Sequence, residues 1–121
     1  MARILIVDDE EEVCQAVNRL FSAWGWACEM LSDGKVAHQA VRAIRPDAVL
    51  LDLLMPEPDG FAILAAIRAD PDVARTPVIL YSACNDEQTL DRALAAGADD
   101  YILKGTPVTQ IRERVALYIS N

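Results

Sequence analysis

The chain has little positive charge, one histidine and few cysteines, and each shortage excludes a class of protein. Its 121 residues include 11 Lys and Arg against 19 Asp and Glu, a formal net charge of -8. This balance argues against a nucleic-acid surface, because such surfaces cluster basic side chains. The three cysteines form no CxxC pair and are odd in number, so neither a disulfide framework nor a structural metal site is expected. The single histidine, His38, supports no Ser-His-Asp arrangement.

Long hydrophobic runs are missing as well. The apolar segments are short and interrupted by charges, and the start MARILIVDDE lacks the long apolar centre of a signal peptide. We therefore expect a cytoplasmic protein that does not contact a membrane. With 53% hydrophobic side chains and no low-complexity tract, residues 1–121 are predicted to form one ordered domain.

Short apolar runs alternate with helical patterns along the chain. The predicted strands are Ile4 to Val7, Trp26 to Leu31, Ala48 to Leu51, Val78 to Tyr81 and Tyr101 to Leu103. A helical pattern follows each strand, with Gly25 and Gly97 placed to end the first and fourth helices, and Thr106 with Pro107 placed to begin the fifth. Five such units, with strands apolar on both faces, predict a doubly wound α/β domain built on a five-stranded parallel sheet.

The residues that follow the strands carry the chemistry. In folds of this class the carboxyl ends of the strands lie at one edge of the sheet, where ligands bind. That edge is predicted to hold Asp8, Asp9, Asp52, Ser82 and Lys104. Three carboxylates so close together repel one another and should take up protons or bind a cation. Oxygen ligands without His or Cys suit Mg²⁺, and a carboxylate beside Mg²⁺ and a lysine can accept a phosphoryl group. Asp52 is the predicted nucleophile.

Four separated motifs now suggest a family. They are the pair DD at Asp8 and Asp9, the pattern D-x-x-M-P-x-x-D-G from Asp52 to Gly60, Ser82-Ala83, and GADDYILK ending at Lys104. Over essentially its whole length the chain resembles the receiver domains of two-component response regulators. The resemblance implies a (βα)5 flavodoxin-like fold with strand order 2-1-3-4-5.

The resemblance also implies roles for individual residues. Asp52 would be the phosphoacceptor, and Asp8, Asp9, Asp52 and the backbone carbonyl of Leu54 would hold Mg²⁺. Lys104 would grip the phosphoryl oxygens and assist transfer.

The other implied roles concern signalling. Ser82 would also bind a phosphoryl oxygen, and Tyr101 would be the aromatic switch residue beside it. The phosphoryl donor would be a sensor histidine kinase or a histidine phosphotransfer protein, and the partner downstream an effector protein or a fused output domain. Such a protein is a switch that catalyses its own phosphorylation and dephosphorylation, not a turnover enzyme. A homodimer formed on phosphorylation is a further option, and no output domain is expected after Asn121, so a single-domain regulator and a piece of a larger protein both stay open.

Three other functions are compatible with a fold of this class. The closest is a pseudo-receiver, an interaction module with the same fold that is not phosphorylated. An aspartyl phosphatase would need a second acid where Leu54 stands, and a nucleotide-binding protein would need a glycine-rich loop where DDEEEV stands. Asp8 and Asp9 have a structural alternative, which is to cap the first helix.

Two departures from the family pattern carry predictions of their own. Lys104 is followed by Gly105 where the family usually has proline, often after a cis bond. Since a cis bond before another residue costs about 2.5 to 4 kcal/mol, we expect a trans peptide or a locally rearranged loop here. Leu54 and Cys84 are apolar or weakly polar where related proteins often orient the hydrolytic water. We therefore expect slow hydrolysis and a long-lived phosphoryl group.

Overall fold

The computed structural model describes residues 1–119 and contains five βα units in sequence. The strands are β1 Arg3–Val7, β2 Ala27–Leu31, β3 Ala48–Asp52, β4 Val78–Ser82 and β5 Asp100–Leu103. The helices are α1 Glu11–Ala23, α2 Ala37–Ile44, α3 Gly60–Ala69, α4 Glu87–Ala95 and α5 Val108–Ala116, with a 3-10 turn at Gly34–Val36 before α2. The strands form one parallel sheet in the order β2-β1-β3-β4-β5. The predicted fold class and strand order are confirmed.

Alternate residues of each central strand enter two different cores. In β1, Ile4 and Ile6 pack on the side covered by α1 and α5, whereas Leu5 and Val7 pack on the side covered by α2, α3 and α4. All five residues of β3 are buried. Because both faces of the sheet are covered, its central strands are continuous apolar runs instead of alternating apolar and polar residues.

Three aromatic rings stabilise the junction of α1 and β2. The ring centroids of Phe21, Trp24 and Trp26 lie 5.1 to 5.7 Å apart, a range in which aromatic pairs attract one another. Between the two tryptophans, Gly25 has a φ of +87°, a left-handed conformation that glycine adopts without strain. The predicted helix end at Gly25 is confirmed.

The start of α5 differs from the prediction. The residue preceding the helix is Pro107, and no side chain caps this end. The Thr106 hydroxyl instead donates to the Leu103 carbonyl at 2.6 Å. The predicted N-cap role of Thr106 is therefore wrong, because Pro107 occupies that position and the Thr106 hydroxyl bonds to the turn that leaves β5.

One arginine fastens the amino-terminal edge of the sheet, opposite the predicted site. The Arg68 guanidinium, at the end of α3, donates to the carbonyls of Ala74, Thr76 and Gly97 at 2.6 to 3.0 Å and pairs with the Asp99 carboxylate at 2.8 Å. The same Asp99 carboxylate accepts from the backbone N–H of Val78, the first residue of β4. Arg68 thereby joins α3 to the entries of β4 and β5.

The single histidine belongs to a group of polar contacts that connects α2 to the end of α3. His38 Nε2 lies 2.8 Å from Asp70 Oδ2, and Arg42 donates to the same oxygen at 2.5 Å. Asp70 directly follows α3, and its carboxylate is 9% exposed. His38 is thus a structural residue in this arrangement, because its ring contacts the carboxylate that follows α3.

Candidate functional site

The carboxyl ends of four neighbouring strands bring the predicted residues together. Val7, at the end of β1, pairs with Leu51 of β3, Asp52 pairs with Tyr81 of β4, and Ser82 pairs with Leu103 of β5. The Lys104 N–H then donates to the Ser82 carbonyl at 2.8 Å. This register places the side chains that follow these strands at one edge of the sheet.

Lys104 lies among three carboxylates at this edge. Its Nζ is 3.0 Å from Asp8 Oδ2, 3.4 Å from Glu10 Oε1 and 3.7 Å from Asp52 Oδ1. The side chains of Asp8 and Asp52 are 2% and 3% exposed, while that of Glu10 is 63% exposed. Burial opposes the charge of the ammonium, but the close contact with Asp8 and the charges of Asp52 and Glu10 outweigh it and raise the pKa of Lys104.

The position of Asp52 makes its carboxylate hard to ionise. Burial is the largest cause, and repulsion by Asp8 adds to it, so the pKa of Asp52 rises to about 7. Lys104 and the Leu54 N–H, which donates to Asp52 Oδ1 at 3.2 Å, act in the opposite direction. A second positive charge beside Asp52 would therefore strongly favour the ionised, nucleophilic form.

Asp8 has one oxygen directed into the site. Its Oδ1 accepts from the Glu10 N–H at 2.9 Å, whereas Oδ2 is buried and receives no well-directed hydrogen bond from residues 1–119, although Lys104 Nζ is close. The backbone of Asp8 is also bonded to α1, because the Cys14 thiol donates to the Asp8 carbonyl at 3.2 Å. Burial, followed by the charge of Asp8, raises the pKa of this thiol to about 11, which favours the neutral thiol of a buried packing residue.

Two of the three acids predicted for this edge, Asp8 and Asp52, meet here, and Glu10 lies with them. Ligand oxygens of Asp8, Glu10 and Asp52 all lie within 4.8 Å of one another, while Asp9 is exposed and lies outside this group. No motif in the sequence pointed to Glu10. The one signal available for it was its position in the acidic run DDEEE that follows β1, and this run does not show which acid turns inward.

Ser82 and Tyr101 are joined through the loop between β4 and α4. Ser82 is fully buried, and its Oγ accepts from the Cys84 N–H at 3.2 Å. The Tyr101 hydroxyl donates to the Cys84 carbonyl at 2.7 Å, with the ring buried beneath the loop. Cys84 is thus bonded on both sides of its backbone, which links the serine at the sheet edge to the aromatic ring of β5.

The loops flanking the acids are shaped by two glycines. Gly60 begins α3 directly against β3, with its N–H donating to the Leu53 carbonyl at 3.0 Å. Gly105 has a φ of +94° and follows Lys104. Among residues 1–119 the only cis peptide is Glu57–Pro58, so the predicted trans peptide between Lys104 and Gly105 is confirmed.

A surface groove adjoins the far side of Tyr101. It has a volume of about 460 Å³ and lies between α4, β5 and α5. Exposed leucines line it, namely Leu90, Leu94 and Leu103, together with the ion pair of Asp100 and Arg114. Tyr101 therefore contacts both the loop that holds Cys84 and this groove.

Comparison with known proteins identifies the family. Residues 4–116 match the family described as the response regulator receiver domain. The chain belongs to that family. As a receiver domain it is a component of two-component signalling, and the curated proteins that it matches are response regulators, which are signalling proteins.

Three relatives show the extent of the likeness. The receiver domain is 35% identical over 113 residues to the DNA-binding response regulator MtrA of Mycolicibacterium paratuberculosis, covering 93% of this chain and 49% of MtrA. The BeF3-activated receiver domain of RstA from Klebsiella pneumoniae superposes with a TM-score of 0.92 at 26% identity, covering 98% of this chain and 99% of that one. The receiver domain of the sensor histidine kinase PA1611 from Pseudomonas aeruginosa, with a magnesium ion in its active site cleft, gives 0.89 at 25% identity, covering 99% and 98%.

The receiver domain spans half or less of the length of the curated relatives that it matches. Within residues 1–119, none of the helices has the length and apolar character needed to cross a membrane.

Proposed function

We propose that this chain, residues 1–121 taken as one receiver domain, accepts a phosphoryl group on Asp52 in a Mg²⁺-dependent reaction. The observation that carries the proposal is the placement of Asp52 at the centre of the sheet edge, almost fully buried and 3.7 Å from the Lys104 ammonium. An isolated buried carboxylate is costly. Here it lies beside a second buried acid and a lysine, which are the groups that phosphoryl transfer needs.

The residues at the site fit a magnesium ion. Three carboxylates offer oxygens within 4.8 Å of one another, and Asp8 Oδ2 is a buried oxygen that lacks a well-directed hydrogen bond from the described residues. Hard oxygen ligands of this kind suit Mg²⁺. The proposed ligands are Asp8, Asp52 and the backbone carbonyl of Leu54, together with Asp9, which lies outside the group of Asp8, Glu10 and Asp52 and would have to turn its exposed side chain towards the site. Glu10, the third member of that group, is not proposed as a ligand. When bound, the ion supplies positive charge to the carboxylates and to the transferred phosphoryl oxygens.

Each side chain has a distinct part in the proposed transfer. A carboxylate oxygen of Asp52 forms a bond to phosphorus as the bond from phosphorus to the donor's imidazole nitrogen breaks. The donor is a phosphohistidine of a sensor histidine kinase or a histidine phosphotransfer protein. Lys104 neutralises charge on the phosphoryl oxygens, and Ser82 donates its hydroxyl to one of them.

In this proposal, phosphorylation changes the loop between β4 and α4, because both Ser82 and Tyr101 are hydrogen-bonded to the backbone of Cys84 in that loop. When Ser82 turns to a phosphoryl oxygen, its hydrogen bond with the Cys84 N–H is exchanged, and the bond of Cys84 with Tyr101 is disturbed. The groove between α4, β5 and α5 is the surface that this change would alter. An effector protein, a fused output domain or a second phosphorylated copy would bind there.

Mass spectrometry with a small phosphodonor tests the proposal. Incubation with phosphoramidate and Mg²⁺ should add one phosphoryl group to the wild type and none to Asp52→Asn. Asp91→Asn is the matched control, because Asp91 is an exposed acid of α4 and its loss removes the same charge. It should be phosphorylated like the wild type.

Two outcomes would contradict the proposal. If the folded wild type gains no phosphoryl group with Mg²⁺ and donor, the chain is a pseudo-receiver that interacts without phosphorylation. If Asp52→Asn is phosphorylated as fast as the wild type, the acceptor lies elsewhere. Addition of EDTA should stop phosphorylation of the wild type, and an undiminished rate would remove Mg²⁺ from the proposal.

A further inference from the structure

Glu10 contacts the site at both its backbone and its side chain. Its N–H donates to Asp8 Oδ1 at 2.9 Å, and its carboxylate accepts from Lys104 Nζ at 3.4 Å. It precedes α1 but makes no capping hydrogen bond to that helix with its side chain. Its contact with Lys104 joins residues 94 positions apart in the chain, so helix formation alone does not account for the orientation of this carboxylate.

The three acids that contact Lys104, namely Asp8, Glu10 and Asp52, differ in burial and therefore in how a bound metal ion would affect their contact with the lysine. Asp8 and Asp52 are buried at the carboxyl ends of β1 and β3, and an oxygen of each lies within 4 Å of Lys104 Nζ. A divalent cation bound to Asp8 would repel the Lys104 ammonium, which now lies 3.0 Å from the same carboxylate. Glu10 lies on the solvent side of the cluster and is 63% exposed. Its carboxylate can therefore still pair with the Lys104 ammonium after a cation has bound to Asp8.

We propose that Glu10 is a positioning residue that retains the Lys104 ammonium beside Asp52 when a divalent cation binds Asp8. The inference rests on the proposed function, because it concerns how the lysine and the metal ion share one cluster of acids. Without Glu10, the carboxylates of residues 1–119 that remain within 4 Å of the ammonium are those of Asp8 and Asp52, and it competes directly with the cation for them.

Magnesium affinity measured without any phosphodonor tests this role. The dissociation constant would be obtained at one pH from backbone amide shifts in an NMR titration. Glu10→Gln should weaken Mg²⁺ binding by about two- to fivefold, the range expected for one partly exposed charge pair. The matched control is Glu11→Gln, which removes the same charge one residue later, in the exposed first turn of α1, and should leave the affinity near the wild-type value.

A double-mutant cycle with Lys104→Met separates positioning from direct ligation. If Glu10 acts through the lysine, Glu10→Gln should have no effect on Mg²⁺ affinity in the Lys104→Met background. Equal weakening in both backgrounds would overturn the proposal, because Glu10 would then bind the cation itself. Equal weakening by Glu10→Gln and Glu11→Gln would also overturn it, because bulk charge would explain both.

The proposal and the proposed function fail in different ways. If the wild type binds Mg²⁺ with the expected coupling but is never phosphorylated, the role of Glu10 stands and phosphoryl transfer does not. If the wild type binds no Mg²⁺, the role of Glu10 is overturned. Glu10→Asp, a shorter acid, should recover part of the affinity lost in Glu10→Gln, and failure to recover any of it would contradict a role for the charge.

Discussion

Leu54 lies two residues after Asp52, and its side chain is 62% exposed at the edge of the site. A leucine here offers no hydrogen bond to a water molecule that attacks the phosphorylated Asp52. Replacing it with asparagine would supply one. We expect Leu54→Asn to shorten the lifetime of the phosphoryl group by about three- to tenfold, the effect of one hydrogen bond of about 1 kcal/mol in the transition state.

The measurement is the loss of the phosphoryl group with time after the donor is removed. Leu117→Asn is a suitable control, because Leu117 is also exposed, at 77%, but follows α5. A wild-type phosphoryl group that is lost rapidly, with no change in Leu54→Asn, would contradict the expected slow hydrolysis.

Individual site residues were predictable to different degrees. Asp52, Ser82 and Lys104 could be placed because each ends or directly follows a strand, and the sheet edge fixes where strand ends meet. Glu10 and Asp9 could not be told apart in this way, since both lie in the loop after β1. Which of them turns inward depends on the path of that loop and on the hydrogen bond from the Glu10 N–H to Asp8.

At the scale of elements, Gly60 couples α3 to the strand that carries Asp52. A Cβ at this position would lie 2.6 Å from the Asp52 carbonyl oxygen and 2.7 Å from the Leu53 Cα. Gly60→Ala should therefore destabilise the fold by about 1 to 3 kcal/mol through overpacking against backbone. At an exposed helix position the same change would stabilise the fold by about 1 kcal/mol. A loss of stability in Gly60→Ala would therefore indicate the close contact between α3 and β3.

Urea unfolding followed by tryptophan fluorescence would give the free energy of unfolding of Gly60→Ala. A variant at least as stable as the wild type would show that α3 can move away from β3 at no cost. In that case the close approach of the two elements is not a constraint on the site.

The elements themselves were easier to predict than their ends. Continuous apolar runs such as that of β3 have one natural place in a domain of this size, which is a parallel sheet buried on both faces. The first turn of α5 was misjudged because Thr106 and Pro107 satisfy a capping pattern. In the structure the Thr106 hydroxyl is already bonded to Leu103, a competing contact that spacing alone does not reveal.

At the scale of the whole molecule, resistance to acid should depend on Asp70. Its hydrogen bond with Arg42, followed by that with His38, lowers the pKa of Asp70 to about 2. A carboxyl group whose pKa is lower in the folded than in the unfolded chain stabilises the fold above the unfolded value, near 4, and loses this contribution as the pH falls towards 2.

We therefore expect Asp70→Asn to be less stable than the wild type from pH 5 to 7, with a difference that shrinks as the pH falls below about 4. Urea unfolding at several pH values would measure this difference. Asp91→Asn again serves as the control for loss of one exposed charge. A difference that stays constant down to pH 3 would show that Asp70 is not ionically tied to α2.

The four contacts of Arg68 distinguish the two edges of the sheet, the edge where the strands begin and the edge where they end. At the rim where the strands begin, one guanidinium anchors α3 and the approaches to β4 and β5 in a single fixed arrangement. At the rim where the strands end, Lys104 lies near three acids at once and Ser82 is bonded to a backbone N–H of a loop. If Asp52 is phosphorylated as proposed, we expect the loops at the carboxyl ends of the strands to move while the edge held by Arg68 stays in place, so a partner that distinguishes the two states should contact the carboxyl edge or the groove beside it.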